Sequence, residues 1–302
     1  MRDLTIQSAN QITVIGKLLE CDIKEGMTKA NKPYARATLT IRVNQAFNGK
    51  DDVSEIVVPF FACKYTNAGK SNPGYENIML FKNMRSAATV GIEDADTIRI
   101  GGRNGGRIEE NFYVGRTGTL QDNWVLSGSF TSRGGKDAGD IASWAAEIYI
   151  LDIKEEYDRN DEPTGRIIVR GGLVQYGGRL DVVNFIIEDP NAADYFTRNY
   201  NVNETISACG RIRMTSKEVK NVSKDSTWGE DLFAATSTHH VNELILTGAK
   251  PAYDEDTSYD PVEIKKGFNA RKARMEQAQL DAATVKKPAA PKANDNPYAW
   301  EG

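Results

Sequence analysis

The sequence predicts a mainly β protein built from two similar domains. The tetrapeptide Asp-Ile-Lys-Glu occurs twice, at 22–25 and 152–155, and a weaker repeat follows in the same order, where 97–103 matches 205–211 at Thr, Ile, Gly and Arg. Several short segments alternate between apolar and polar residues, as half-buried strands do. With 302 residues, 40% hydrophobic and 26% charged, the chain is long enough for two globular domains of about 130 residues each.

Matching residues follow the repeated tetrapeptide at matching distances. In each copy eight residues come next and end in a proline, Pro33 or Pro163. An arginine lies three residues further on, Arg36 in the first copy and Arg166 in the second. Two repeats in the same order, with conserved spacing around one of them, indicate a duplicated domain.

The first domain is predicted to contain three strands, a helix and further strands. Its clearest segment, 34–43, alternates strictly, so that alanine, leucine, isoleucine and valine share one face while an aromatic, two arginines and two threonines share the other. The apolar face is therefore expected in the core. The predicted elements are strands at 12–25, 34–43 and 56–63, a helix at 76–89, a strand at 97–103 and a hairpin of 111–116 with 123–133.

The second domain shows the same order more clearly. Gly177-Gly178 predicts a hairpin turn, and Asp189-Pro190 the start of a short helix. Three strands, a helix and two strands is the order of a five-stranded Greek-key barrel, the OB-fold. The predicted strands are 147–156, 165–176, 179–188, 204–213 and 241–249, with 215–240 as an irregular insertion.

We therefore predict two tandem OB-fold barrels followed by a C-terminal helix and a disordered tail. The glycine-rich segment 134–140 connects the barrels. The tail is rich in proline, alanine and lysine, a composition that cannot form a core. The predicted domains are 1–134, a first OB-fold domain with insertions, 141–253, a second OB-fold domain, and 254–302, a charged helix near 261–283 with the tail.

The sequence contains no convincing catalytic or metal site. His239 and His240 are adjacent, so that on a strand they point apart and form neither a metal pair nor a base with its orienting partner. Cys21, Cys63 and Cys209 lack the spacing of metal ligands, and we expect them to be reduced core residues. We predict a non-enzymatic protein without a cofactor.

Charge and hydropathy indicate which ligands and which cellular compartment suit the protein. The net charge of −4 and the pI of about 5.5 argue against a protein that binds nucleic acid through bulk positive charge, although an acidic body can carry a local basic groove. No apolar run reaches the length of a membrane span, and the N-terminus lacks the apolar core of a secretory signal. We expect a cytoplasmic protein that does not enter a membrane.

A binding surface is the remaining source of function. A shallow OB groove suits single-stranded nucleic acid, because bases stack on aromatic rings for about 1–3 kcal/mol each while arginines and lysines contact phosphates. Of the adjacent Phe60 and Phe61, one belongs to the core and the other is free to stack, and the sequence leaves open which. The candidates in the first barrel are Tyr34, Arg36, Thr40, Arg42, Phe60, Lys64, Tyr65, Arg99, Arg103, Arg107, Phe112, Tyr113 and Trp124. Those in the second barrel are Arg166, Arg170, Tyr176, Arg179, Arg211, Arg213 and Trp228.

From about residue 11 to 250 this architecture resembles single-stranded DNA-binding proteins, particularly phage-type replication proteins with OB barrels and a disordered tail. The resemblance implies a role in DNA replication, recombination or repair, in the host cytoplasm if the protein is phage-encoded. In the bacterial family the tail ends in an aspartate-rich peptide with a terminal phenylalanine that recruits replication and repair enzymes. Here the tail carries Asp295, Tyr298, Trp300 and Glu301 and ends in glycine, so Tyr298 and Trp300 are the candidates for partner binding.

Three hypotheses follow from the sequence. The first is a single-stranded DNA-binding protein with little sequence specificity, whose affinity depends on salt. The second is a structural or scaffolding protein whose OB barrels contact other proteins, which would form complexes unaffected by DNA or salt. The third is an RNA-binding protein, which competition between matched DNA and RNA oligomers would identify through the 2′-hydroxyl.

Overall fold

The computed structural model of the chain is mainly β, as predicted. Its described residues contain twelve strands and four α-helices, and all twelve strands belong to one sheet. The residues that the structure describes are 1–47, 50–102, 105–115, 118–135, 138–158, 160–221 and 235–284.

The first barrel begins with three long antiparallel strands that are neighbours in the sheet. The buried residues of the second strand are those of the alternating apolar face, among them Leu39 and Ile41, which have no solvent exposure. Alternation thus produced the predicted separation of core from surface. The three strands are β1 (Asn10–Met27), β2 (Pro33–Phe47) and β3 (Lys50–Cys63).

Shorter elements close the first barrel. The fourth strand of the OB-fold is divided into β4, which pairs with β1, and β5, which forms a hairpin with β6. β6 then meets β3 in parallel where Phe60 faces Gly128, and a Cβ atom at Gly128 would lie 2.3 Å from the Phe60 ring, so only glycine allows this approach. The elements are α1 (Pro73–Leu80), α2 (Ala87–Val90), β4 (Thr97–Ile100), β5 (Gly106–Val114), β6 (Leu120–Gly128) and β7 (Ser132–Arg133).

The second barrel has the predicted strand order. Its strands pair in the order β8, β9, β10, β12, β11 and back to β8, with one parallel contact between β10 and β12 at Ile186 and Ile245. Asp189 caps the helix between the third and fourth strands by accepting from two backbone amides. The elements are β8 (Ile141–Tyr157), β9 (Pro163–Val174), β10 (Leu180–Ile187), α3 (Pro190–Asn199), β11 (Thr205–Asn221) and β12 (Ala235–Ala249).

The prediction of an irregular insertion at 215–240 is wrong for both ends of this segment. β11 and β12 continue beyond the barrel and stay paired as far as Asn221 and Ala235. We call this extension of β11 and β12 the β11–β12 arm. Its strands were not predicted, because strands that leave the core lack the apolar face that produces an alternating pattern. Trp228 lies outside the described residues.

The two barrels share one sheet and one core. β1 pairs with β8 in antiparallel fashion from Asn10 opposite Ala146 to Ile15 opposite Ile141. Beside this seam Trp144 is buried, packs against Phe185 with a centroid distance of 4.7 Å, and donates from its indole nitrogen to a backbone carbonyl. The domain limits drawn from the sequence stay a prediction, while the sheet runs across both barrels.

The predicted C-terminal helix is present as α4 (Pro261–Thr284) and contacts both barrels. Arg271, whose side chain is 7% exposed, donates to Glu110 of β5 over 2.6 Å and to Asp122 of β6. Arg274 donates to the carbonyl oxygen of Leu180 at the start of β10. These arginines anchor the helix together with Ile264, which is buried against Leu180 and Tyr259.

The three cysteines are free, but they are not all core residues. Cys21 and Cys63 are half-buried, whereas Cys209 is exposed, so the expectation of a core position is wrong for Cys209. Burial, and after it the charge of Asp22, raises the pKa of the Cys21 thiol to about 11. None of the helices in the described part of the chain has the length and apolar character needed to cross a membrane.

We predict that Arg271→Ala lowers the free energy of unfolding by about 3–5 kcal/mol, because it leaves the fully buried carboxylate of Glu110 without its cation. Denaturant unfolding followed by circular dichroism measures this change. The control is Lys272→Ala on the same helix, whose side chain is 77% exposed and whose loss should change stability by less than about 0.5 kcal/mol. Equal stability of the two variants would contradict the role of α4 as an anchor.

Candidate nucleic-acid interface

The outer face of β2 and β3 carries a pair of aromatic rings, of which Phe61 is exposed and Tyr34 half-buried. Tyr34 and Phe61 lie on adjacent strands with ring centroids 5.3 Å apart and an angle of 35° between the ring planes. Phe61 is 61% exposed, which is unusual for a large apolar side chain beside another aromatic. Such a pair offers flat π surface to a ligand that can stack on it.

The position of Tyr34 is fixed by its neighbours. Gly26 of β1 lies opposite Tyr34 in the register, and a Cβ atom there would come within 2.9 Å of the tyrosine oxygen. The ring therefore packs closely against the backbone of β1 on one side and contacts Phe61 on the other. A ring held in this way loses little further entropy when a base stacks on it.

Cations accompany the aromatic pair. Arg36 is exposed and lies directly opposite Phe61 in the register of β2 and β3. Lys64, also exposed, follows the end of β3 and has its ammonium 5.8 Å from the ring centroid of Tyr65. Neither Arg36 nor Lys64 forms an ion pair with any residue that the structure describes. We call Tyr34, Phe61 and Tyr65, together with Arg36 and Lys64, the aromatic platform.

A small loop after β3 orients Tyr65. Tyr65 and Ser71 form an antiparallel bridge, and the amide of Thr66 donates to the carbonyl of Lys70 over 2.8 Å. Gly69 at the tip has φ of 75°, a conformation that glycine adopts without strain. The turn that precedes β2 approaches this loop, since the Lys32 ammonium lies 3.5 Å from the side-chain oxygen of Asn67.

The expectation that Phe60 contacts a nucleic acid is wrong. Phe60 is 2% exposed and packs edge-on against Phe81 in the core, at a centroid distance of 5.0 Å. Successive residues on a strand point to opposite faces, so Phe61 takes the outward position. The charged Glu55 marks that outward face in the sequence, because Phe61 has the same parity, and this signal could have resolved the choice.

Two predicted arginines of β11 belong to a network of charges between the barrels. Arg213 donates to Asp52 of β3 over 3.0 Å, to Glu243 of β12 over 3.1 Å, and to Glu188. Burial alone would lower the pKa of Arg213, but hydrogen bonds with Glu188 and Asp52 outweigh it and raise this pKa. Arg211 joins the same network through Asp52 and Glu188, and its side chain is 15% exposed.

Three further candidates are held by carboxylates. At each of these arginines, a phosphate would have to compete with a carboxylate already in place. The pairs are Arg107 with Glu109 at 2.6 Å, Arg166 with Glu156 at 3.2 Å and Glu243 at 2.6 Å, and Arg179 with Asp181 at 2.8 Å and Glu109 at 3.5 Å.

The other candidates occupy separate places on the surface. Arg99 is exposed on β4 and Arg170 half-buried on β9, and no ion pair involves either one in the described ranges. Thr40 and Arg42 lie on the outer face of β2, where the guanidinium of Arg42 donates to the side chain of Asn44. Contact of these four residues with a nucleic acid stays a prediction.

The remaining aromatic candidates differ in exposure. Tyr176 is 86% exposed at the β9–β10 turn, and Tyr113 is 50% exposed on β5. Phe112 lies beneath Arg274 of α4, whose guanidinium carbon is 5.7 Å from the ring centroid. Trp124 of β6 is half-buried in a cleft between the barrels. The candidates that fall outside the described residues are Arg103, Trp228, Tyr298 and Trp300.

Comparison with known proteins places the chain in a family. The model of the YorF family matches residues 8–281, which is most of the sequence, and the chain therefore belongs to this family. No curated protein sequence matches it.

Solved structures similar to this one include two of the single-stranded DNA-binding protein from Thermus aquaticus. A deletion variant has 12% sequence identity and a TM-score of 0.49, with 82% of this chain and 97% of that chain covered. The wild-type protein has 11% identity and a TM-score of 0.49, with 82% and 95% covered.

We predict that the two classes of arginine differ in their effect on stability. Arg213→Ala should lower the free energy of unfolding by about 2–3 kcal/mol, because partly buried carboxylates lose their charged donor. Arg36→Ala should change it by less than about 0.5 kcal/mol, since Arg36 is exposed and has no ion pair within the described residues. Thermal and denaturant unfolding of both variants test this, and a destabilised Arg36→Ala would show that Arg36 is structural.

Proposed function

We propose that this member of the YorF family is a non-enzymatic single-stranded DNA-binding protein that stacks bases on the aromatic platform. One observation carries the proposal. The exposed ring of Phe61 and the half-buried ring of Tyr34 lie 5.3 Å apart on strands two and three of an OB barrel, and the neighbouring Arg36 and Lys64 have no ion pair in the part of the chain that the structure describes.

The chemistry of this surface fits an unpaired strand. The face formed by strands two and three is where OB-folds bind oligonucleotides. Every base has a π face, so stacking on Tyr34 and Phe61 tolerates any sequence. A duplex hides these faces in its own base stack, and the platform therefore favours single strands.

The overall acidity of the chain is compatible with this role. Binding depends on the potential at the platform, where Arg36 and Lys64 supply positive charge, whereas the net charge of −4 belongs to the whole chain. Each phosphate contact adds about 0.7 to the slope of log affinity against log salt for single strands. Because the platform has few cations, we expect its affinity for DNA to depend only weakly on salt. Stacking then supplies most of the binding free energy.

The biological setting proposed for this activity is DNA replication, recombination or repair in the cytoplasm. A sequence-tolerant binder would protect single strands or present them to enzymes. The terminal Tyr298 and Trp300, which follow a tail rich in proline, alanine and lysine, would contact protein partners in those processes.

A fluorescence titration with labelled oligo-dT at low salt tests the proposal. Phe61→Ala should raise the dissociation constant about 5- to 100-fold, as expected for the loss of one stacking surface. Arg36→Ala should raise it less and reduce the salt slope by about 0.7. The matched control is Tyr195→Ala, which removes an aromatic that is 62% exposed on α3, outside the platform, and should leave affinity unchanged.

Two outcomes of that titration contradict the proposal. Absence of oligo-dT binding at low salt would exclude single-stranded DNA as the ligand. Binding that Phe61→Ala does not weaken would exclude the aromatic platform as the site. A matched oligo-U competitor that binds more tightly than oligo-dT would instead identify RNA as the ligand.

A further inference from the structure

We propose that a cleft between the two barrels binds a nucleotide of the same DNA strand and selects its base. This inference rests on the proposed function and adds a second site to it, where one base is selected, while stacking on the platform tolerates any sequence. The cleft has a volume of about 560 Å³ and lies between the first half of β6 in the first barrel and strands β8, β9, β10 and β12 of the second. We call it the junction cleft.

The first barrel contributes an aromatic wall to the junction cleft. On β6, Leu126 is buried in the core, and Trp124 lies on the same face two residues nearer the hairpin turn. At that point the hairpin has left its own barrel and packs against the second barrel, where the amide of Glu110 donates to Asp181 of β10. The indole is therefore brought to a cleft whose other walls come from the second barrel.

The opposite wall is apolar. Ile168 of β9 and Ile186 of β10 are cross-strand partners that both line the cleft, and Val182, on the same face of β10 as Ile186, extends this surface. An indole and branched aliphatic side chains around one space suit a flat, largely apolar group such as a nucleobase.

Asparagines add the means to distinguish bases. Asn123 of β6, Asn184 of β10 and Asn242 of β12 line the cleft from three different strands. None of the three amide side chains hydrogen-bonds to a protein atom among the residues described. A carboxamide presents a donor and an acceptor together, which matches the paired groups on a base edge.

The carboxylates of the cleft form ion pairs. Three of them line it, and every one has a cation within ion-pair distance. These cations reduce the negative charge that an anionic ligand meets in the cleft. The pairs are Asp122 with Arg271, Asp152 with Lys154 at 2.7 Å, and Glu243 with Arg166 at 2.6 Å and Arg213 at 3.1 Å.

Arg170 is the cation that remains for a phosphate. It lines the cleft, lies opposite Asn184 in the register of β9 and β10, and forms no ion pair in the described residues. The neighbouring Asp152 has a pKa below its usual value. The main cause is a hydrogen bond from Lys154, and the charges of Lys154 and Arg170 act in the same direction, whereas burial acts in the opposite one. Arg170 and Asn184 thus place a phosphate-binding group beside a group that can bond to a base edge.

The test compares the affinities of the full-length protein for homo-oligomers of dT, dC, dA and dG. Wild type should prefer one base over the poorest by about 5- to 100-fold, the discrimination that paired hydrogen bonds to a base edge provide. Asn184→Ala and Asn242→Ala should reduce this preference toward equality, and Arg170→Ala should weaken binding of all four oligomers. Phe61→Ala should weaken all four while leaving the preference intact.

The controls separate this inference from the proposed function. Circular dichroism and thermal unfolding establish that each variant is folded, and Asn184 and Asn242 are exposed, so their truncation should not disturb the core. If Phe61→Ala weakens binding while the cleft variants leave affinity and base preference unchanged, the junction cleft is not a site and the platform stands. If no oligomer binds at all, both proposals fail.

Discussion

The antiparallel pairing of β1 with β8 is the constraint on which the rest of the structure depends. It runs from Asn10 opposite Ala146 to Ile15 opposite Ile141 and makes one sheet of two barrels. Because backbone hydrogen bonds fix this seam, the β5–β6 hairpin meets the second barrel in one register, α4 bridges β5 and β10, and Asp52 reaches the arginines of β11. A cleft of defined shape between the barrels is a consequence of the seam.

The arginines of this chain divide into structural and available groups. Arg213 and Arg271 form ion pairs with carboxylates from other elements of the fold. These pairs hold the two barrels and α4 together. Arg36 and Arg170 lie on outward faces of the second strand of each barrel and have no ion pair in the described ranges. An acidic protein can therefore present local positive charge, because some of its carboxylates are paired with structural arginines, whereas Arg36 and Arg170 form no ion pair within the described residues.

Much of the fold followed from the sequence, because period-two alternation and the repeat report local structure. The repeat predicted equivalent positions for Arg36 and Arg166, but the strand registers differ, because Lys24 pairs with Arg36 whereas Lys154 pairs with Ile168. Arg166 also meets Glu243 from a strand 77 residues away. Such partners are set by topology and leave no local pattern. The same holds for Trp124, which reaches the second barrel, and for α4, whose arginines add long-range ion pairs to the apolar contacts of Ile264.

Photo-crosslinking of a 5-iodouracil-substituted oligonucleotide, followed by mass spectrometry of the crosslinked peptides, tests the central claim most directly. The account predicts crosslinks in the peptides that contain Tyr34, Phe61 and Tyr65, because the bases stack on these rings. Crosslinks confined to the β11–β12 arm or to the C-terminal tail would contradict it.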